Sequence, residues 1–191
     1  MKNNNIIYVH GLSSSGATAS AQNIQTHLPQ YHIIAPDMPL PPLEAIQMLI
    51  DLCKKYKPKL VVGTSMGAMF AQQLRNQKKI LINPAFHVSH LMRKNLGEQA
   101  FFNPRKDGVQ TFTITTQLCD AYQRMESKQF EGISLYDIEN TYGFFGTKDE
   151  LVNCKEEFLQ YYKNLTLFDG EHRLNPLVIQ KDLIPLILQI L

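Results

Sequence analysis

A chain of 191 residues, 44% hydrophobic and 19% charged, is long enough to bury one substantial apolar core and fits the ordinary globular class. Its 19 basic and 17 acidic residues are interspersed and leave a formal charge of +2, so no basic face or tail directs the chain to nucleic acid. Cys53, Cys119 and Cys154 lie far apart, without CxxC or Cys/His spacing, which argues against a disulfide framework or a zinc site and for free thiols in a reducing compartment.

The opening MKNNN passes directly into an apolar run, without the long apolar stretch or small-residue cleavage site of a secretory signal. The run at 6–10 (IIYVH) reads as a buried strand. It hands over to GLSSSGAT, which nearly spells a phosphate-binding loop: Gly11 and Gly16 bracket four residues and Thr18 stands at the Mg²⁺-binding hydroxyl, but Ala17 replaces the lysine that would reach the β- and γ-phosphates. A helical pattern over 19–28 follows, then a strand at 32–35 (HIIA), the turn-rich PDMPLPP, and a helix over 42–56 with Ala45, Leu49 and Cys53 on its apolar face.

A third strand at 60–63 (LVVG) leads through GTSMGA into a helix over 66–76, and a fourth at 80–82 (ILI) leads into NPAF. From 86 to 133 the rhythm breaks, with no clear strand and a mixed pattern that reads as loop plus one or two helices: either a lid or an ordinary helical insertion. Strands at 142–145 (YGFF) and 165–168 (LTLF) flank a helix over 154–162. The last helix opens with Asn175 as N-cap and Pro176 in its first turn, and Pro185 is expected to kink or divide it. The closing LIPLILQIL is too short to span a bilayer. The expectation is a cytoplasmic chain without membrane insertion, folded as one α/β domain over 1–191: a mostly parallel sheet of about six strands, helices on both faces, and an insertion after the fourth strand. Ligands of such a sheet gather at the carboxyl ends of its strands.

The chemistry concentrates at those ends. Gly63-Thr64-Ser65-Met66-Gly67 fits G-x-S-x-G where a strand becomes a helix, a turn tight enough to demand glycine two positions either side of the serine. That turn lifts the Ser65 hydroxyl above the sheet and leaves the Met66 N–H at a helix N-terminus, where an oxyanion would form. Asp149 falls in the loop after the fifth strand and His172 in the loop after the sixth, giving the chain order Ser, acid, His. His172 would take and return the serine proton while Asp149 fixes its tautomer. Among rival acids, Asp137 and Glu139 precede their strand, at the wrong end of the sheet, and Asp169 is only three residues from the histidine. A second oxyanion donor is expected from the loop after the first strand, the N–H of Leu12 or, second, of Ser13, with His10 as a structural support. His87 and His90 have a spacing that metal ligands use but no acidic or cysteine partner, so no metal or other cofactor is proposed.

Taken together, the strand-HG-loop, PDMPLPP, GTSMGA, NPAF, KDELV and GEHR, in this order, resemble the α/β-hydrolase fold, and within it the small YqiA/YcfP-like esterase branch, from about residue 6 to the C-terminus. That branch lacks the first antiparallel strands of larger hydrolases, in keeping with a nucleophile as early as Ser65. The resemblance implies hydrolysis of carboxylic esters or acyl thioesters by Ser65, Asp149 and His172. Leu12 and Arg173 depart from the branch, where an aromatic often follows HG and a small residue the histidine. The expected partner is a small-molecule ester or thioester, with Phe86, Leu91, Met92, Phe101 and Phe102 available as acyl-pocket walls or as core. Arg93, Lys94, Arg105 and Lys106 are either an attraction for an anionic acyl carrier or solvated surface. The competing reading is a non-catalytic binding protein on a hydrolase scaffold, against which the complete triad argues.

Overall fold

The computed structural model describes residues 4–191, so Met1 to Asn3 of the opening run lie outside the described residues. The chain runs β1 (Asn5–Val9), α1 (Ala19–His27), β2 (His32–Ile34), α2 (Pro42–Tyr56), β3 (Leu60–Thr64), α3 (Met66–Gln72) and β4 (Lys79–Ile82). It continues through α4 (Val88–Arg93), β5 (Gly97–Ala100), β6 (Thr111–Ile114), α5 (Thr116–Glu126) and α6 (Leu135–Asn140) to β7 (Thr141–Gly146). The last part is α7 (Lys155–Tyr161), β8 (Asn164–Phe168), α8 (Pro176–Val178) and α9 (Ile184–Ile190).

Six strands form one all-parallel sheet in the order β2-β1-β3-β4-β7-β8. The apolar strands are continuous because both faces are covered. Ile7, Val9, Val61 and Leu81 point into a core closed by α2, α3, α5 and α7. Ile6, Tyr8, Leu60, Val62, Ile80 and Ile82, on the alternate positions, point into a second core closed by α1 and the C-terminal helices. Strand order reverses beside β1, so the loops after β1 and β3 part there and leave a crevice at the carboxyl end of the sheet.

One sequence expectation needs correction. The stretch 86–133 contains an antiparallel hairpin, β5 with β6, that the sequence pattern did not predict; Gly97 pairs with Ile114 and Ala100 with Thr111. Phe112 and Ile114 of β6 point inward and its threonines outward, a half-buried strand added to the expected helices. The C-terminal helix is divided as expected, with Pro185 in the first turn of α9. A π-helical turn over Ile179–Leu183 joins α8 to α9, widening the helix just where the proline has no N–H to offer the preceding turn.

The helix that follows the insertion, α6, is tied to the sheet by a buried ion pair. Lys79 Nζ lies 2.9 Å from Asp137 Oδ1, both side chains fully inaccessible, and also donates to the Leu74 carbonyl at 2.7 Å. Burial lowers the lysine pKa, against the pull of Asp137, and Asp137 further closes the capping box of α6 with Ser134. Among the described residues no helix is long and apolar enough to cross a membrane.

Candidate active site

Ser65 stands between β3 and α3 with φ 54° and ψ −121°, a backbone conformation unfavourable for any residue with a side chain. The turn is held by bonds at both ends: Ser65 N–H donates to the Ile82 carbonyl at 2.9 Å, and the Ser65 carbonyl accepts from Ala68 at 3.0 Å and Ala85 at 3.1 Å. It also explains the flanking glycines. A Cβ on Gly63 would sit 2.5 Å from the Gly67 carbonyl oxygen, and one on Gly67 would sit 2.1 Å from the Val9 carbonyl oxygen. Side chains at these places would drive β3, α3 and the end of β1 apart.

The loop after β8 brings His172 to the serine, and the loop after β7 brings Asp149 to the histidine. His172 Nε2 is 3.0 Å from Ser65 Oγ, and its Nδ1 is 2.7 Å from Asp149 Oδ2. The carboxylate side chain is 4% exposed, and its other oxygen accepts from the N–H groups of Leu151 at 2.9 Å and Val152 at 3.0 Å. Both oxygens are thereby committed, which holds Nδ1 as the protonated nitrogen and leaves Nε2 as the acceptor toward Ser65. The rival acids are engaged elsewhere: Asp137 with Lys79 inside the protein, and Asp169 with Lys148 on the surface at 2.6 Å.

One residue of the site escaped the sequence reading. Asn83, directly after β4, is buried and left-handed at φ 42°. Its Nδ2 donates to the carbonyls of Glu171 at 3.1 Å and His172 at 3.0 Å, while its Oδ1 accepts from the Gly146 N–H at 2.8 Å. A single side chain thus fixes the histidine loop against the end of the strand that carries the Asp149 loop. The available signal was an asparagine, tolerant of the left-handed region, directly after an apolar strand in NPAF.

On the other side of Ser65 lies the loop after β1. Gly11 is so close that a Cβ there would be 3.3 Å from Ser65 Cβ. Leu12 and Ser13 form the centre of a turn closed by Ser14 N–H donating to the Gly11 carbonyl at 3.3 Å. The N–H groups of Leu12 and of Met66, the first residue of α3, have no acceptor among the described residues. His10 braces this loop, as expected from its position: its Nε2 accepts from the Met38 N–H at 3.0 Å and its Nδ1 lies 2.8 Å from the Gly11 carbonyl. Burial lowers its pKa, and through these two contacts the ring joins the loops after β1 and β2.

The hairpin tip, 101–110, folds over the same loop. Phe102 N–H donates to the Ser13 carbonyl at 2.8 Å, Ser15 Oγ to the Pro104 carbonyl at 2.8 Å, and Asn103 Nδ2 to Ser14 Oγ at 3.0 Å. Asp37 joins the two segments by accepting from the N–H groups of Gly16 and Lys106, each at 2.7 Å. Beneath this cover is a cavity of about 180 Å³, bordered by Gly11, Leu12 and Met66 beside the serine and walled by Met38, Leu40, Phe101 and Phe112. Of the expected wall residues, Phe101 lines it, whereas Phe86 and Met92 are core. Arg105 closes the polar rim, pairing with Asp107 at 2.9 Å and stacking on Phe101, and Arg93 pairs with Asp120 at 2.6 Å.

The remaining reactive side chains lie outside this arrangement. His87 pairs with Glu157 at 2.9 Å and stacks on His90, and no three His, Cys, Asp or Glu side chains converge among the described residues. Burial pushes the thiols of Cys53 and Cys154 up to about 11, away from the thiolate form.

The model of an uncharacterised protein family, UPF0227, matches residues 5–185. No curated protein sequence matches. Among solved structures, Est1E from Butyrivibrio proteoclasticus with ferulic acid bound aligns at TM-score 0.65 and 13% identity, over 97% of this chain and 88% of its own. A thioesterase domain from the curacin biosynthetic pathway aligns at TM-score 0.64 and 17% identity, over 98% of this chain and 92% of its own. Mouse alpha/beta hydrolase domain-containing protein 10 aligns at TM-score 0.61 and 14% identity, over 98% and 87%. At these identities the likeness is one of fold, and the fold is that of the α/β-hydrolases.

Proposed function

The chain belongs to the uncharacterised protein family UPF0227, and we propose that it is a serine hydrolase, cleaving small-molecule carboxylic esters or acyl thioesters through an acyl-enzyme. The observation that carries this reading is the unbroken line Ser65 Oγ, His172 Nε2, His172 Nδ1, Asp149 Oδ2 at the strand-to-helix turn. The esterases and thioesterases among the structural neighbours share its fold and so lend it support.

In this mechanism His172 Nε2 takes the Ser65 proton as Oγ attacks the carbonyl carbon, and the imidazolium is stabilised by Asp149. The N–H groups of Met66 and Leu12, neither of which has an acceptor among the described residues, receive the developing oxyanion. His172 then returns the proton to the departing alcohol or thiol, and water repeats the sequence to release the acid. No step calls on a cofactor. The acyl group extends into the cavity beside Leu12 and Met66, whose 180 Å³ hold roughly six heavy atoms at the ~30 Å³ of a water-sized group, a short acyl chain. The 86–133 insertion serves as the wall of that cavity, held by its bonds to the loop after β1.

A fluorophosphonate probe tests the assignment. Labelling of the wild type that is lost in Ser65→Ala is the expected outcome, together with a fall of several orders of magnitude in the esterase kcat of His172→Ala with its thermal unfolding retained. Equal labelling of wild type and Ser65→Ala refutes the nucleophile.

A further inference from the structure

The contacts around Ser65 close into a ring. It runs from Ser65 to Gly11, along the turn to Ser13, across the Phe102 N–H to the insertion, and from the Phe102 ring to Arg173, whose chain neighbour His172 returns to Ser65. Arg173 Cζ lies 4.8 Å from the centre of the Phe102 ring, which is 65% exposed. Through this contact an aromatic ring and a guanidinium join the two loops that reach Ser65 from either side.

Arg173 is the one member of this ring that carries charge without a compensating partner. Its guanidinium makes no ion pair or hydrogen bond to a described residue. Of the acids on its loop, Asp169 is paired with Lys148 at 2.6 Å, and the field of Glu171 also falls on Lys148. Arg105, the other arginine near the site, is already neutralised by Asp107. Stacking on a ring face fixes the plane of a guanidinium and leaves its N–H edge available, the edge that binds carboxylate or phosphate with two hydrogen bonds.

The two sides of the site therefore differ. The oxyanion side opens on the small apolar cavity, which takes the acyl chain. The histidine side, where the departing group must sit to receive its proton from His172 Nε2, is the side that bears Arg173. Resting on the hydrolase reading above, we infer that Arg173 selects substrates whose alcohol or thiol portion carries a carboxylate or phosphate, so that the preferred substrate is a short acyl group on an anionic leaving group.

The test uses the full chain and acyl-matched butyrate esters of 3-hydroxyphenylacetate, of its neutral N-methylamide, and of 3-hydroxybenzyl phosphate. The readout is the ratio of kcat/KM for each anionic ester to that of the amide, in which any general effect of a variant on turnover cancels. The wild type is expected to favour an anionic ester about tenfold, Arg173→Lys to keep part of the preference, Arg173→Gln to bring it close to one, and Arg173→Glu to invert it. Raising ionic strength shrinks the wild-type ratio, because an exposed charge contact is screened. Comparison of the two anionic esters separates carboxylate from phosphate as the favoured group. If the amide ester is hydrolysed in a Ser65-dependent way but the ratio is near one, or is unmoved by Arg173→Glu, the inference fails while the hydrolase reading stands. If no ester is turned over above the Ser65→Ala background, the hydrolase reading itself fails.

Discussion

Replacing Asn83 removes three hydrogen bonds at once and no atom of the proposed reacting triad. The bonds to the Glu171 and His172 carbonyls and from the Gly146 N–H are each partly buried, so a net loss of about 1 kcal/mol apiece, roughly 3 kcal/mol in all, is expected. Asn83→Ala adds about 1 kcal/mol because alanine is strained at the left-handed φ of 42°. Asn83→Gly has no such strain, which separates the backbone cost from the loss of the bonds. Against a typical 5–15 kcal/mol both variants remain folded, with Tm lowered on the order of 5–15 °C for a chain of this size. The catalytic effect is larger. The His172 carbonyl loses a tether directly beside the proposed base, and a displacement on the order of 1 Å costs about a hundredfold. Stopped-flow hydrolysis of a butyrate ester is expected to show kcat for Asn83→Gly down about a hundredfold, with KM little changed and with fluorophosphonate labelling slowed in parallel. A glycine variant within threefold of wild-type kcat, at a temperature where it is fully folded, would show that the histidine loop does not depend on this side chain.

Two further outcomes follow from the cavity and from His10. Phe101→Ala opens the wall of the proposed acyl cavity, and two additional methylenes sheltered there at ~0.8 kcal/mol each raise the octanoyl to butyryl ratio of kcat/KM about tenfold; an unchanged ratio across a butyryl to decanoyl series places the acyl chain elsewhere. His10 has its folded-state pKa lowered by burial, so the unfolded chain binds the proton more readily and stability falls as pH drops below the unfolded value of about 6.5. The loss is at most about 1.4 kcal/mol per pH unit for one proton. Urea midpoints of the wild type and His10→Gln between pH 7.5 and 5 should converge as pH falls; parallel curves refute the assignment of that slope to His10.

Ser65, Asp149 and His172 were legible because each obeys a local rule. The elbow demands Gly63 and Gly67 by sterics, and the other two sit one loop beyond an apolar strand, in the chain order this sheet imposes. Asn83 was not legible as a site residue, since its partners are carbonyls 88 and 89 positions away and nothing in the intervening chain marks them. The β5–β6 hairpin fell between these cases. TFTI alternates as a half-buried strand should, but its partner GEQA has no buried residue, and ten residues of tip separate the two. A pattern that lives on one strand of a pair is easily taken for loop.

The near-match of GLSSSGAT to a phosphate-binding loop has the same physical origin as the acyl-transfer role proposed for it. Both uses need small residues after a strand so that backbone N–H groups approach a ligand closely, and the lysine alone separates them in sequence. In the structure the serines of this stretch are spent on other partners: Ser15 Oγ on the Pro104 carbonyl, Ser14 Oγ on Asn103, and the Ser13 carbonyl on the Phe102 N–H. Among the N–H groups that the loop leaves without an acceptor are those of Leu12 and Ser13, next to the Gly11 that packs against Ser65. The hairpin that occupies those serines also carries Phe101 into the cavity and Phe102 against Arg173, so the insertion ties the proposed oxyanion side of the site to the proposed leaving-group side. Changes in the hairpin tip should therefore alter which ester is accepted before they alter the rate constant of the chemistry at Ser65.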